Sequence, residues 1–231
     1  MKQKIAIFDL DETLTKKGTW GRFVLASIKH KPHKWVPFFA SSLFSQAKYM
    51  LGKGPREHVK ESMMRWTLSG RSHTELAKMA EEFAANEVDN GLRRQARSVL
   101  ENHRNAGDRI IIATAAVDLI IEPIARRLDV DEVVCTKMAY DAHDNLARKL
   151  GGKNCYGIGK LEMVRDYLEA DHSFHRDHAH ITMYSDSRSD LDILRWADVG
   201  IAVNPSPRLQ KCAPEYGFVI QDWDEQNGDK K

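Results

Sequence analysis

No run of this 231-residue chain is both long enough and apolar enough to cross a bilayer. The longest hydrophobic stretch, "WVPFFASSLFSQAKYML" at 35–51, is interrupted by Pro37, Gln46 and Lys48. A secretion signal is not expected, because the first apolar run is short and ends on acids. Cysteine is scarce: Cys135, Cys155 and Cys212 are odd in number, lack metal-ligand spacing and read as reduced thiols of a cytoplasmic chain. Acid is nearly missing from one segment. Between Lys16 and Arg71, Glu57 and Glu61 stand against twelve Lys and Arg, so the segment carries +10 in a chain of formal net charge +2. The remainder is then −8, and so uneven a split suggests two bodies with different jobs.

What is present is a repeating alternation. "RIIIATAAV" (109–117), "EVVCTKM" (132–138), "HITMYSD" (180–186), "VGIAVNP" (199–205) and "GFVIQDW" (217–223) read as strands. Between them, "DLIIEPIARRL" (118–128), "GKLEMVRDYLEA" (159–170) and "RSDLDILRWA" (188–197) read as helices. With the opening "KIAIF", this order predicts an α/β fold, a Rossmann-like parallel sheet covered on both faces. Residues 15–88 break the rhythm with four helical patterns separated by Lys-Pro, Gly-Lys-Gly-Pro and Ser-Gly-Arg-Ser. The expected division is a catalytic core of 1–14 and 89–231, with 15–88 inserted as an α-helical bundle cap. The aromatic run Trp35, Phe38, Phe39, Phe44 and Tyr49 has the spacing of that bundle's core. The terminal "DEQNGDKK" reads as disordered.

Asp9 and Asp11 follow Ile5–Phe8, four apolar residues that look like a strand buried on both faces. Open parallel sheets place their ligand sites at the carboxyl ends of strands, and four such ends or following loops carry polar groups. The first holds Asp9, Asp11 and Thr13, and the second holds Thr114. A Gly-x-Gly-Lys turn holds Lys160, and "YSDSRSD" holds Asp186 and Asp190. Four carboxylates converging on one edge need a cation between them. A hard, oxygen-ligated ion fits, and Mg²⁺ keeps waters while accepting a phosphate oxygen. Lys160 and the Thr114 hydroxyl would hold the other phosphate oxygens. Taken singly, "DLDET" could be a helix cap and "SDSRSD" a capping box, but their joint occurrence argues for a site. "DHSFHRDHAHI" crowds His172, His175, His178 and His180 without a spacing that makes them converge, and reads as a polar loop.

The set "DLDET", "ATAA", "GIGK" and "SDSRSD", in this order, resembles the haloacid dehalogenase superfamily of phosphotransferases over nearly the whole chain. The resemblance implies that Asp9 is a nucleophile forming an aspartyl-phosphate, and that Asp11 protonates the leaving oxygen and then activates water. It implies that Asp9, the Asp11 backbone carbonyl and Asp186 ligate Mg²⁺, with Asp190 supporting the metal site. Lys160 and Thr114 would bind phosphate, and Thr13 would tie down the loop. Glu12 stands where family members often have glycine.

A helical insertion directly after the first motif is similar to the phosphoserine-phosphatase-like subgroup. Those enzymes carry a cap glutamate for the substrate ammonium, whereas "TKKGTWGRF" offers Lys16, Lys17 and Arg22 and no acid, which speaks against phosphoserine. The cap sequence also resembles phosphatidylglycerophosphatases, which implies an anionic lipid phosphate and peripheral contact with an anionic inner membrane. Lys17, Arg22, Arg56 and Arg65 are the candidate cap residues for an anionic substrate. The expected activity is a Mg²⁺-dependent phosphomonoesterase on a small-molecule or lipid phosphomonoester, with phosphoryl transfer to an acceptor other than water as the alternative. Nucleic acid is not an expected partner, because the aromatics look buried rather than interleaved with basic residues along a groove. A non-catalytic basic module is disfavoured, since every expected catalytic residue is present.

Overall fold

The computed structural model describes residues 2–55 and 57–225, leaving Arg56 and most of the terminal "DEQNGDKK" outside the described residues. Six strands form one parallel sheet: β1 (Gln3–Phe8), β2 (Arg109–Val117), β3 (Glu132–Thr136), β6 (Ala179–Ser185), β7 (Val199–Val203) and β8 (Val219–Gln221). Their order is β3-β2-β1-β6-β7-β8. The chain winds outward from β1 to β3, then returns to β1 and builds the other half from β6. The switch therefore falls between β1 and β6, the place where such sheets open a ligand crevice.

Alternation along β1 explains its unbroken apolar run. Ile5 and Ile7 face one layer with Val164, Leu168 and Ile193, while Ala6 and Phe8 face the other with Ile120, Ile124 and Leu100. Both faces are dry, so every position is apolar. Helices α5 (Ala96–Asn105) and α6 (Asp118–Arg127) lie on the second face, and α7 (Ile158–Glu169) and α8 (Leu191–Trp196) on the first. The short α9 (Pro207–Cys212) leads to β8. The predicted strands and helices of the core are found within a few residues of their expected limits; α5 and the short α9 lie outside those expectations.

Four helices occupy the segment between the first turn and α5: α1 (Thr19–Ser27), α2 (Trp35–Met50), α3 (Glu57–Thr67) and α4 (His73–Asn86). Phe23, Val24, Ile28, Phe38, Met64, Leu68 and Leu76 are buried among them. The chain leaves at Thr15 and returns at Leu92, and these residues form an antiparallel bridge. A second unexpected element braces the bundle, the antiparallel hairpin of β4 (Met138–Tyr140) and β5 (Leu146–Leu150). Leu146 exchanges backbone hydrogen bonds with the α3–α4 turn, donating to Arg71 O at 2.9 Å and accepting from Gly70 N at 2.8 Å.

The aromatic run of α2 departs from expectation. Of its members only Phe38 is buried; Trp35, Phe39 and Phe44 are 40%, 51% and 67% exposed, and Tyr49 is half-buried. Helical spacing shows that residues share a face, not which way that face points. Phe38 is the one fully buried side chain of α2, with half-buried Ser41, Ser42, Ser45 and Tyr49 beside it, and the helix's other large apolar residues face solvent.

Two substitutions separate the buried interior of the helical insertion from the exposed face of α2. Leu76→Ala should cost about 2–5 kcal/mol in urea unfolding, since it empties a fully buried site. Leu43→Ala on the outer face of α2 should change stability by about 0.5 kcal/mol or less.

Candidate active site

Asp9 ends β1, and its backbone N–H donates to Tyr184 O on β6 at 2.9 Å, so the first motif is held against the strand that leads to Asp186. Leu10–Leu14 then make one tight turn, pinned by buried Leu10 and Leu14. Within it Glu12 takes φ of +62°, a left-handed conformation that favours glycine. Arg93 compensates by donating to the Glu12 carbonyl from Nε at 3.0 Å and from Nη2 at 2.6 Å, and it also pairs with Asp224.

The turn delivers its side chains to one cleft of about 210 Å³. Asp9, Asp11, Thr114, Lys160, Asp186 and Asp190 all line it, and Gly18 enters from the start of α1. Lys160, carried on the first turn of α7 and nearly fully buried, donates to Asp9 Oδ1 and to Asp190 Oδ2, each at 2.7 Å. Asp190 Oδ2 also accepts from Ser185 Oγ at 2.8 Å. Thr13 is structural: its hydroxyl donates to Asp186 Oδ1 at 3.1 Å and accepts from Asp186 N–H at 2.9 Å. Asp11 Oδ1 accepts from both N–H and Oγ1 of Thr19, at 2.8 and 2.7 Å, which anchors the start of α1. Thr114 Oγ1 accepts from Ala116 N–H at 3.0 Å, leaving its proton for an oxygen in the cleft.

Crowded carboxylates shift one another. Burial pushes Asp9 well above the usual carboxylate range; Lys160 opposes this, and the charges of Asp190 and Asp186 reinforce it. The same contacts act oppositely on Lys160. Burial alone would lower its pKa, but Asp190 and Asp9 overcome this and hold the ammonium charged. Asp9 must share that lysine with Asp190, so the pair stabilises the cation more fully than either anion. Asp186 is pushed up to about 7, by burial first and then by Glu12.

A hard cation suits the oxygens left over. Asp190 Oδ1 is buried with no hydrogen-bond partner. Asp9 Oδ2 has only a long 3.5 Å approach from the Thr13 hydroxyl, whose proton is better placed toward Asp186. Among the described residues no group of three or more His, Cys, Asp or Glu side chains is clustered for a metal. An ion here would have two carboxylates, a backbone carbonyl and water or substrate oxygens, which Mg²⁺ tolerates and Zn²⁺ does not favour. The four histidines of the 172–180 stretch form no such cluster either.

The cap candidates fare differently. Lys17, Arg22 and Arg65 do not line the cleft. Lys17 is exposed; Arg22 pairs with fully buried Glu87 and lies over the Phe83 ring; Arg65 lines a separate groove. Lys60, absent from the sequence-based candidates, does reach the site's margin. It is buried, and it donates to Ala115 O, next to Thr114, and to Asn154 Oδ1 at 2.7 Å. Tyr156, Ser187 and Ser189 also line the cleft, and no motif reading had singled them out.

Residues 6–195 match the family model for haloacid dehalogenase-like hydrolases, and the chain belongs to that family. It is therefore a hydrolase, and the relatives that align along it include named phosphatases. It is 29% identical over 224 residues to a phosphoserine phosphatase of Mycobacterium tuberculosis, covering 94% of this chain and 70% of that protein. It is 25% identical over 228 residues to a histidinol-phosphatase of Neisseria meningitidis, covering 94% of this chain and 98% of the relative. The structure superposes with a TM-score of 0.84 on a protein of unknown function from Bordetella pertussis Tohama I, at 27% identity, covering 96% of this chain and all of the other.

Two measurements follow from the charges. In metal-free protein, Asp186 binds its proton more tightly folded (about 7) than unfolded (about 3.9), so stability should fall as pH rises between these values, read as Tm against pH. Lys160→Met should cost about 3–5 kcal/mol near neutral pH by leaving Asp9 and Asp190 buried without their cation, and the loss should shrink as acid protonates Asp9.

Proposed function

We propose that the protein is a Mg²⁺-dependent phosphomonoesterase that works through an aspartyl-phosphate on Asp9. One observation carries the reading: Asp9 opens onto the cleft while a buried lysine holds its Oδ1, and Thr114 offers a proton from the neighbouring strand. The cleft's small volume suits a phosphoryl group and the first atoms of its ester.

In this scheme Asp9 attacks phosphorus as the bond to the ester oxygen breaks. Asp11 gives that oxygen a proton; because its Oδ1 is engaged by Thr19, the proton travels on Oδ2. Asp11 then takes a proton from water, whose oxygen attacks the aspartyl-phosphate and releases phosphate and free Asp9. Lys160 offsets charge on Asp9 and on the phosphoryl oxygens, and Thr114 donates to one of them. Asp9, the Asp11 carbonyl and Asp186 would hold Mg²⁺, with Asp190 behind them through Lys160 and Ser185. When bound, the ion would neutralise the phosphate and the crowded carboxylates.

Residues 15–88 serve as the cap over this core, and the substrate is a small-molecule or lipid phosphomonoester. The phosphoserine and histidinol phosphate readings draw on relatives 29% and 25% identical. Against phosphoserine stands the absence of any acid in the described residues between Glu12 and Pro55. The lipid reading, with peripheral placement at an anionic membrane, is favoured by one observation, the exposed apolar face of α2.

Asp9→Asn should lower phosphate release by about a thousandfold or more while the purified variant stays folded, since Asp190 still pairs with Lys160. Retained activity in the purified variant would remove Asp9 as nucleophile. Added Mg²⁺ should raise the Tm of the wild type, and Asp186→Ala should lose that shift.

A further inference from the structure

We infer that the outer face of α2 docks on an anionic lipid surface. Val36, Phe39, Leu43, Phe44, Met50 and, just past the helix end, Leu51 are 51–77% exposed. At 3.6 residues per turn they fall within an arc of about 140°, centred opposite buried Phe38. Exposed Ala40 and Ala47 fall in the same arc, so no polar side chain interrupts the stripe. An apolar strip of this breadth on a helix about 24 Å long is too large to be ordinary surface.

The charge around the stripe selects its occupant. Thr13–Arg56 contains nine Lys and Arg and not one acid. Lys31 and Lys34 gather at the start of α2, near enough that the Lys31 charge depresses the Lys34 pKa, after burial. Lys48 lies over the Phe44 ring at 5.7 Å, and Lys53 follows the helix. Beside the stripe a groove of about 450 Å³ between α2 and α3 presents Lys48, His58, Arg65 and Lys149 together with Trp66, against the single acid Glu61. A second copy of the chain is a poor match, because a two-fold contact through this face would set its basic rim against itself. Anionic headgroups over a hydrocarbon layer match both the apolar centre and the cationic margin. The inference holds whichever phosphomonoester the cleft accepts, since the stripe lies outside it.

The test is co-sedimentation of the full chain with vesicles of phosphatidylcholine mixed with phosphatidylglycerol, against phosphatidylcholine alone. The expected result is binding to the mixed vesicles at low salt that falls steeply as salt rises, because surface charges are screened within about 10 Å at 0.1 M. Leu43→Ser with Met50→Ser should weaken it about tenfold or more at an unchanged unfolding midpoint. Lys48→Gln with Lys53→Gln should flatten the salt dependence. Three outcomes overturn the inference: no binding to the mixed vesicles at low salt; undiminished binding by the serine variant; or, without vesicle binding, a concentration-dependent dimer that the serine variant dissolves, which would make the face a contact between copies.

Discussion

Lys160 stands 2.7 Å from both Asp9 and Asp190, and all three are almost wholly removed from water. Three charges in that setting hold together only if three separate elements meet in one register. Asp9 follows β1, Asp190 follows β6, and α7, which precedes β6 in the chain, packs on the sheet face against β2 and β3 to deliver the lysine. A one-residue slip of β1 would turn Asp9 to the opposite face and leave the ammonium half-answered. The apolar pattern of β1 therefore does more than bury area. It sets the position at which a strand may end in acid.

Around that centre, the neighbouring side chains either fix backbone or wait for a ligand. Thr13 is spent on Asp186, and Thr19 on Asp11. Arg93 holds the carbonyl of the strained Glu12, so a left-handed residue with a side chain is kept where glycine would be easier. The inserted helices are joined to the sheet by more than their two chain crossings. Lys60 reaches from α3 to Ala115 O and Asn154, and the β4–β5 hairpin extends the core's backbone hydrogen bonding to the α3–α4 turn. Gly18 is the residue of α1's entry that borders the cleft, and its lack of a side chain leaves space there.

Much of this was legible in the sequence because parallel strands buried on both faces leave unbroken apolar runs, and acids at the end of such a run stand out. The Rossmann-like alternation and the joint placement of Asp9, Asp11, Thr114, Lys160, Asp186 and Asp190 rest on that contrast. What stayed hidden had no such contrast. The hairpin strands, "MAY" and "LARKL", are short and half polar, so neither alternation nor length marks them. Helix α5 buries only Ala96 and Leu100, a stripe too narrow to rise above its charged surroundings. Lys60 sits between Glu57 and Glu61 with no motif around it, and only the tertiary fold shows it turned inward. The aromatic run of α2 reads as core because its spacing is helical, yet spacing carries no sign. Either side of that helix could have faced inward, and the smaller apolar side did.

The position of β1 in the middle of the sheet has a consequence for how the protein is made. Its turn residue Thr13 is bonded to Asp186, 173 residues later in the chain. At ordinary ribosomal speeds of about 5–20 residues per second, roughly ten to thirty seconds separate the synthesis of the two. β2 can cover one edge of β1 well before then, but the other edge stays open until β6 emerges. A nascent chain thus carries Asp9 beside an unpaired, largely apolar strand edge for most of its synthesis. A chain cut short before β6 would keep that edge permanently, and would be a seed for aggregation rather than a weak enzyme.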